Sequence, residues 1–101
     1  MPHEPITVEV DRDLEDLVPM FMAQRRKDLG AIATALKDND MDALRAIGHG
    51  MNGGGRSYGF SEITDIGEAM ERAARARNVD DLTKLAGTLA DYMARVVVKY
   101  V

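Results

Sequence analysis

Gly48-His49-Gly50-Met51-Asn52-Gly53-Gly54-Gly55-Arg56-Ser57-Tyr58-Gly59 holds six of the nine glycines in the chain and one of its two histidines. Glycine costs roughly 1 kcal/mol against alanine inside a helix, so such a run ordinarily ends one. The surrounding residues nevertheless keep a helical period. Met41, Leu44, Gly48, Met51, Gly55 and Tyr58 recur at spacings of three and four. The segment therefore reads as a helix over about 41–58, capped by Asp40 and ended by Gly59. Glycines tolerated beside a lone titratable side chain would clear the space around it.

Outward from that helix, three more amphipathic stretches appear. Before it, Asp11 or Asp13 caps a segment with apolar positions at Leu14, Leu17, Val18, Phe21, Met22, Leu29, Ile32 and Leu36. Pro19 removes a donor and crowds the preceding turn, which predicts a kink there or a break into a short and a long helix. Lys37-Asp38-Asn39-Asp40 is the first turn. After Gly59, Ser61 is expected to cap a third helix with inner positions Ile63, Ile66, Met70, Ala73 and Ala74. Asn78 to Asp81 reads as the next turn. The last helix presents Leu82, Leu85, Ala86, Leu89, Tyr92, Met93 and Val96.

The two ends differ from this pattern. Ile6-Thr7-Val8-Glu9-Val10 alternates apolar and polar residues, the period of a strand or extended arm. The β-branched end Val96-Val97-Val98-Lys99-Tyr100-Val101 is expected to fray into an extended tail. Helices joined by turns of two to four residues pack as antiparallel neighbours. The reading is an all-α, antiparallel up-down four-helix bundle over about 13–97, with a short extra N-terminal helix or arm and residues 1–10 extended. The seven methionines are read as core packing rather than as a ligand set.

Composition limits the functions open to such a bundle. One hundred and one residues suit a single, free-standing domain. Charged residues are 30% of the chain and the net charge is −4, without the basic excess a nucleic-acid surface needs. The first 18 residues carry six acids against one base, which argues against an anionic membrane. The absence of cysteine excludes disulfides, cysteine-based zinc sites and thiol nucleophiles. No apolar run approaches the roughly 18 residues of a membrane span, and the N-terminus lacks a signal peptide's basic and apolar regions. A cytoplasmic location is the expectation.

His49 lies about 100° round the helix from Gly48. It belongs to a stripe of Arg45, His49, Asn52, Gly53 and Arg56, at offsets of −4, +3, +4 and +7. Every member is polar or has no side chain, so the imidazole is expected at the flank of the bundle. Gly53 removes the side chain that would shade the ring, and Gly50 and Gly54 thin the surface beside it. Arg45 and Arg56 place positive charge one and two turns away. An imidazole titrating near about 6.5 is largely a neutral nucleophile at cytoplasmic pH, and between two guanidinium groups it suits a phosphoryl group.

These residues resemble the histidine-containing phosphotransfer (HPt) domain of two-component phosphorelay systems, with its signature of roughly H-x-L-K-G-x5-G on the second helix of a four-helix bundle. His49 matches the phosphorylated histidine, Met51 the apolar position, Gly53 the glycine one turn on and Gly59 the closing glycine. Helix order, loop placement and length match along the whole chain. One position departs: the usual lysine is Asn52, which offers neutral donors only, with Arg56 the candidate to compensate.

The resemblance implies a phosphocarrier without kinase activity of its own. His49 would accept a phosphoryl group from a receiver-domain phospho-aspartate, or from the receiver portion of a hybrid histidine kinase, and pass it to another receiver. Arg45, Asn52, Gly53, Arg56 and Gly59 would form the phosphoryl and docking surface. The receiver would supply Mg²⁺, and the chain itself would carry no cofactor and act as a monomer. Arg25-Arg26-Lys27, and Arg72, Arg75 and Arg77, could meet an acidic partner or be solvated helix faces.

Three alternatives compete. Gly50 to Ser57 fits G-x-x-x-x-G-K-[ST] except for Arg56, but a nucleotide-binding loop needs a strand before it. An interaction module that has lost phosphotransfer would rest on Asn52 alone. A metal site finds no acid or second histidine at ligand spacing from His49 on its helix, and His3 lies in the terminal arm.

Overall fold

A computed structural model describes residues 4–101 of the chain. Its elements are strand β1 (Ile6–Val10), helices α1 (Val18–Lys37), α2 (Met41–Gly55), α3 (Ser61–Arg75) and α4 (Val79–Arg95), and strand β2 (Val96–Tyr100). The helices close into a four-helix bundle in which α1 packs on α2 and α4, and α3 on α2 and α4. Its centre is built from Leu44, Met51, Phe60, Ile63, Met70, Leu82 and Leu89, all without solvent exposure. His3 lies outside the described residues.

Pro19 produces the break, and it does so at a helix start. A 3₁₀ turn, Arg12–Leu14, is capped by the Asp11 carboxylate, which accepts from the Asp13 N–H. α1 then begins at Val18 with the proline in its first turn, where no intrahelical donor is required. Leu17 therefore precedes the helix and is exposed rather than internal. The inner stripe of α1 instead includes Arg25 and Asp28, paired at 2.7 Å in a buried contact. The Arg25 guanidinium also lies over the Phe21 ring, 4.8 Å from its centroid. The expected basic cluster at residues 25–27 thus loses Arg25 to the interior. Removing one member of a buried pair typically costs about 3–5 kcal/mol, because the other charge stays unpaired.

Asp40 caps α2 as the sequence predicts, its carboxylate accepting from the Ala43 N–H at 3.0 Å. The α-helix is shorter than expected: it ends at Gly55, and a 3₁₀ turn, Arg56–Tyr58, carries the chain to Gly59. Gly59 adopts φ +90°, the left-handed conformation that glycine enters without strain. Ser61 is not a cap. Phe60 holds that position; its hydrocarbon ring has no acceptor to offer the helix start and is instead fully buried and stacked on Phe21. Burial of the ring, rather than a hydroxyl bond, sets the start of α3. Asn78 is the cap of α4, accepting from the Asp81 N–H, so the expected 78–81 turn is already the first turn of that helix.

The largest departure is at the ends. β1 and β2 pair in parallel, with Ile6 beside Val96 and Val10 beside Tyr100. The Val101 N–H donates to the Val10 carbonyl at 2.9 Å, and the Arg12 N–H to the Val101 carbonyl at 3.1 Å. Parallel strands need a long crossover connection, and here the entire bundle serves as that crossover. The C-terminal residues are thus a paired strand and not a frayed tail. Val10 is buried and joins the core.

Candidate functional site

α2 and α3 approach each other more closely than side chains would permit. A Cβ added at Gly48 would lie 2.7 Å from the Gly67 carbonyl oxygen, and one added at Gly67 would lie 2.6 Å from the Gly48 carbonyl oxygen. Both contacts are to backbone, which cannot move aside cheaply. The paired glycines therefore set the crossing, and the side chains next to it are drawn together across two helices.

His49 stands immediately beside that crossing, its side chain 79% exposed. The ring faces Glu71 of α3, with Nδ1 3.5 Å from Oε1. The second carboxylate oxygen, Oε2, accepts from Arg75 Nη2 at 3.4 Å. Glu71 is itself almost buried, at 9% exposure, so its carboxylate is held in place while the groups it touches face solvent. A shallow recess of about 350 Å³ lies beside the imidazole, lined by Asp42, Arg45, Ala46, His49, Glu71 and Arg75.

The sequence-derived residues separate into two groups. Arg45 shares the recess with His49. Gly53 is exposed, and a Cβ built on it would meet nothing within 4 Å, so the surface one turn past His49 is bare. Gly50 is equally open. Gly54 is not part of this clearance: a Cβ there would lie 2.7 Å from the Phe21 ring, so this glycine admits α1 against α2. Arg56 lies beyond the end of α2, 3.9 Å from Glu68, and does not line the recess. Asn52 is half-buried against the glycine crossing, its backbone nitrogen 2.8 Å from where a Gly67 Cβ would be. Gly59 turns the chain after the motif and does not line the recess either.

Glu71 was not singled out by the sequence reading, which looked for acids along the histidine's own helix, and Arg75 was named only with Arg72 and Arg77, as arginines that could meet an acidic partner or be solvated. One signal was present. Gly67, Glu71 and Arg75 recur every four residues beside the apolar positions Ile63, Ile66, Met70 and Ala74, so an acid falls on the inward side of α3. The nucleotide-loop alternative is excluded by geometry, since Gly50 to Gly55 continues the helix begun at Met41 and no strand leads into it. Among the described residues, no group of three potential metal ligands comes together.

Fold and site together define a helical-bundle protein with, among the described residues, one histidine, which is exposed, lies 3.5 Å from a carboxylate and shares its recess with two guanidinium groups. The family model described as Hpt domain matches residues 16–98, and the chain belongs to that family. The match takes in all four helices and His49 and leaves β1 outside. None among the curated proteins or the solved structures matches the chain significantly. Membership places it among proteins of phosphotransfer in two-component systems, which interact with receiver domains and histidine kinases. No helix among the described residues is long and apolar enough to cross a membrane.

Proposed function

We propose that the protein is a cytoplasmic phosphorelay intermediate that takes a phosphoryl group onto His49 from a receiver phospho-aspartate and hands it to a second receiver. The observation that carries this reading is the 79% exposed imidazole, with Nδ1 turned to the Glu71 carboxylate and the bare Gly53 one turn away.

A carboxylate beside Nδ1 favours the tautomer with its proton there, which leaves the Nε2 lone pair free and facing outward. Nε2 attacks phosphorus in line with the departing oxygen. The N–P bond forms as the P–O bond to the receiver aspartate breaks, and the aspartate leaves as carboxylate with the bonding pair. The ring keeps its Nδ1 proton and becomes a cation, whose charge Glu71 offsets. No general base is needed. Transfer of this kind depends on positioning and on stabilising the equatorial oxygens. The receiver contributes Mg²⁺, while this chain contributes nucleophile, access and cations and works as a monomer without a cofactor or kinase activity of its own.

The test is transfer from a phosphorylated receiver in Mg²⁺. The protein is expected to gain label that is stable in base and lost in acid, and His49→Gln to gain none. Label that persists in His49→Gln overturns the assignment. A protein that folds and binds receivers yet takes no label is an interaction module instead.

A further inference from the structure

We propose that Arg45 and Arg75, one on each helix of the glycine crossing, hold the phosphoryl oxygens of phosphorylated His49. The inference rests on His49 being phosphorylated, and concerns what happens to the charge once it is.

A phosphoryl group on a ring nitrogen brings up to about two negative charges at neutral pH. The recess beside His49 already contains two carboxylates, Asp42 and Glu71, and two guanidinium groups, Arg45 and Arg75. Those formal charges cancel in the unmodified protein. With the arginines removed, a phosphoryl group would face two like charges within the same recess, one of them on a nearly buried residue that cannot retreat. The two carboxylates make cations here a requirement.

Geometry favours these two arginines over Arg56. Side chains on a helix lean toward its N-terminus, so the His49 ring tilts over the turn that carries Arg45. α3 runs antiparallel, so Arg75 leans back toward Glu71 and the imidazole. Its observed bond to Glu71 Oε2 is long, at 3.4 Å, and its side chain is 61% exposed. A guanidinium held so loosely can turn from the carboxylate to an incoming anion without crossing packed structure. Its planar fork also matches two phosphoryl oxygens at once. Arg56, by contrast, is 3.9 Å from Glu68 beyond the far end of α2 and lines no part of the recess.

Labelling the protein with phosphoramidate, a small phosphoryl donor, and then offering it a receiver tests this. After removal of the donor, the phosphohistidine resonance, and its decrease to equilibrium when receiver and Mg²⁺ are added, are followed by ³¹P NMR in the natural protein and in Arg45→Ala, Arg75→Ala, Arg75→Lys and Arg56→Ala. Unchanged helix content by circular dichroism confirms folding. Arg45→Ala and Arg75→Ala are each expected to displace the ³¹P resonance and to shift the transfer equilibrium to a receiver by about tenfold, as loss of a charge-assisted bond implies. Arg75→Lys is expected to recover part of both effects, and Arg56→Ala to stay within twofold of the natural protein. Unchanged resonance and equilibrium in both recess variants, or a larger effect from Arg56→Ala, overturns the inference while leaving the relay intact. Label from phosphoramidate with none from any receiver overturns the relay, and the ³¹P comparison still decides the arginines. No label on His49 from either donor overturns both.

Discussion

A methyl group added at Gly53 would meet no atom within 4 Å, whereas one added at Gly67 would sit 2.6 Å from the Gly48 carbonyl oxygen and 2.9 Å from the Met51 Cβ. The two glycines therefore answer substitution in opposite directions. Gly53→Leu is expected to raise stability by on the order of 0.5–1 kcal/mol through helix propensity, yet to slow phosphotransfer sharply, because the new side chain would stand in the open space through which the proposed receiver approaches. Chemical denaturation paired with a transfer assay reads both effects, and undiminished transfer would count against the clearance idea. Gly67→Ala is expected to cost roughly 1–3 kcal/mol by overpacking and to draw Glu71 away from His49 as α3 shifts outward. Only the first effect could be anticipated from the sequence. Gly53 and His49 lie one turn apart on one helix, where periodicity relates them directly, but Gly48 and Gly67 meet across two helices. Nothing in the pattern of either helix states that pairing. The same gap hid Glu71 and the nearness of Arg75 to His49, and it directed attention to Arg56, which shares the histidine's stripe but extends from a 3₁₀ turn beyond the α-helix.

Helix α2 was readable because Asp40 caps it and its apolar positions keep step through the glycines. The strands were readable as extended segments and no more, since a partner 90 residues away leaves no local mark. Their pairing changes the status of the N-terminal arm. β1 lies outside the family match, but Val10 is only 2% exposed and belongs to the core, while Thr7 in the same strand faces solvent. Val10→Ala is accordingly expected to destabilise the protein by roughly 1–3 kcal/mol, the order lost when a buried aliphatic side chain is truncated. Thr7→Ala should change it by no more than a few tenths. Denaturant midpoints at constant slope are the measurement. Equal midpoints for the natural protein and Val10→Ala would mean that the arm does not contribute to the folded core.

Cooperative unfolding of the bundle should carry a signature in alkaline solution from Tyr92, a core residue on α4 with 3% exposure. Its hydroxyl is pushed up to about 12, chiefly by burial and secondarily by the nearby Glu62 carboxylate, both of which oppose a phenolate. Exposed tyrosine titrates near about 10. The folded state thus retains a proton that the unfolded chain releases between those values. Stability is complete below about pH 10 and falls as pH rises toward 12, since there the unfolded state binds fewer protons. Other groups also titrate in this range, so the Tyr92 contribution is isolated by difference. Tyr92→Phe removes the titrating hydroxyl but keeps the ring that fills the core. Its stability measured by denaturant at several pH values from 8 to 12 is expected to decline less steeply above pH 10 than that of the natural protein. Parallel declines would mean that the phenol ionises equally well in both states, with α4 open to water at that point. Tyr92 carries no role in the His49 recess, so phosphotransfer by Tyr92→Phe at neutral pH should match the natural protein, which separates the stability of the bundle from the chemistry on its surface.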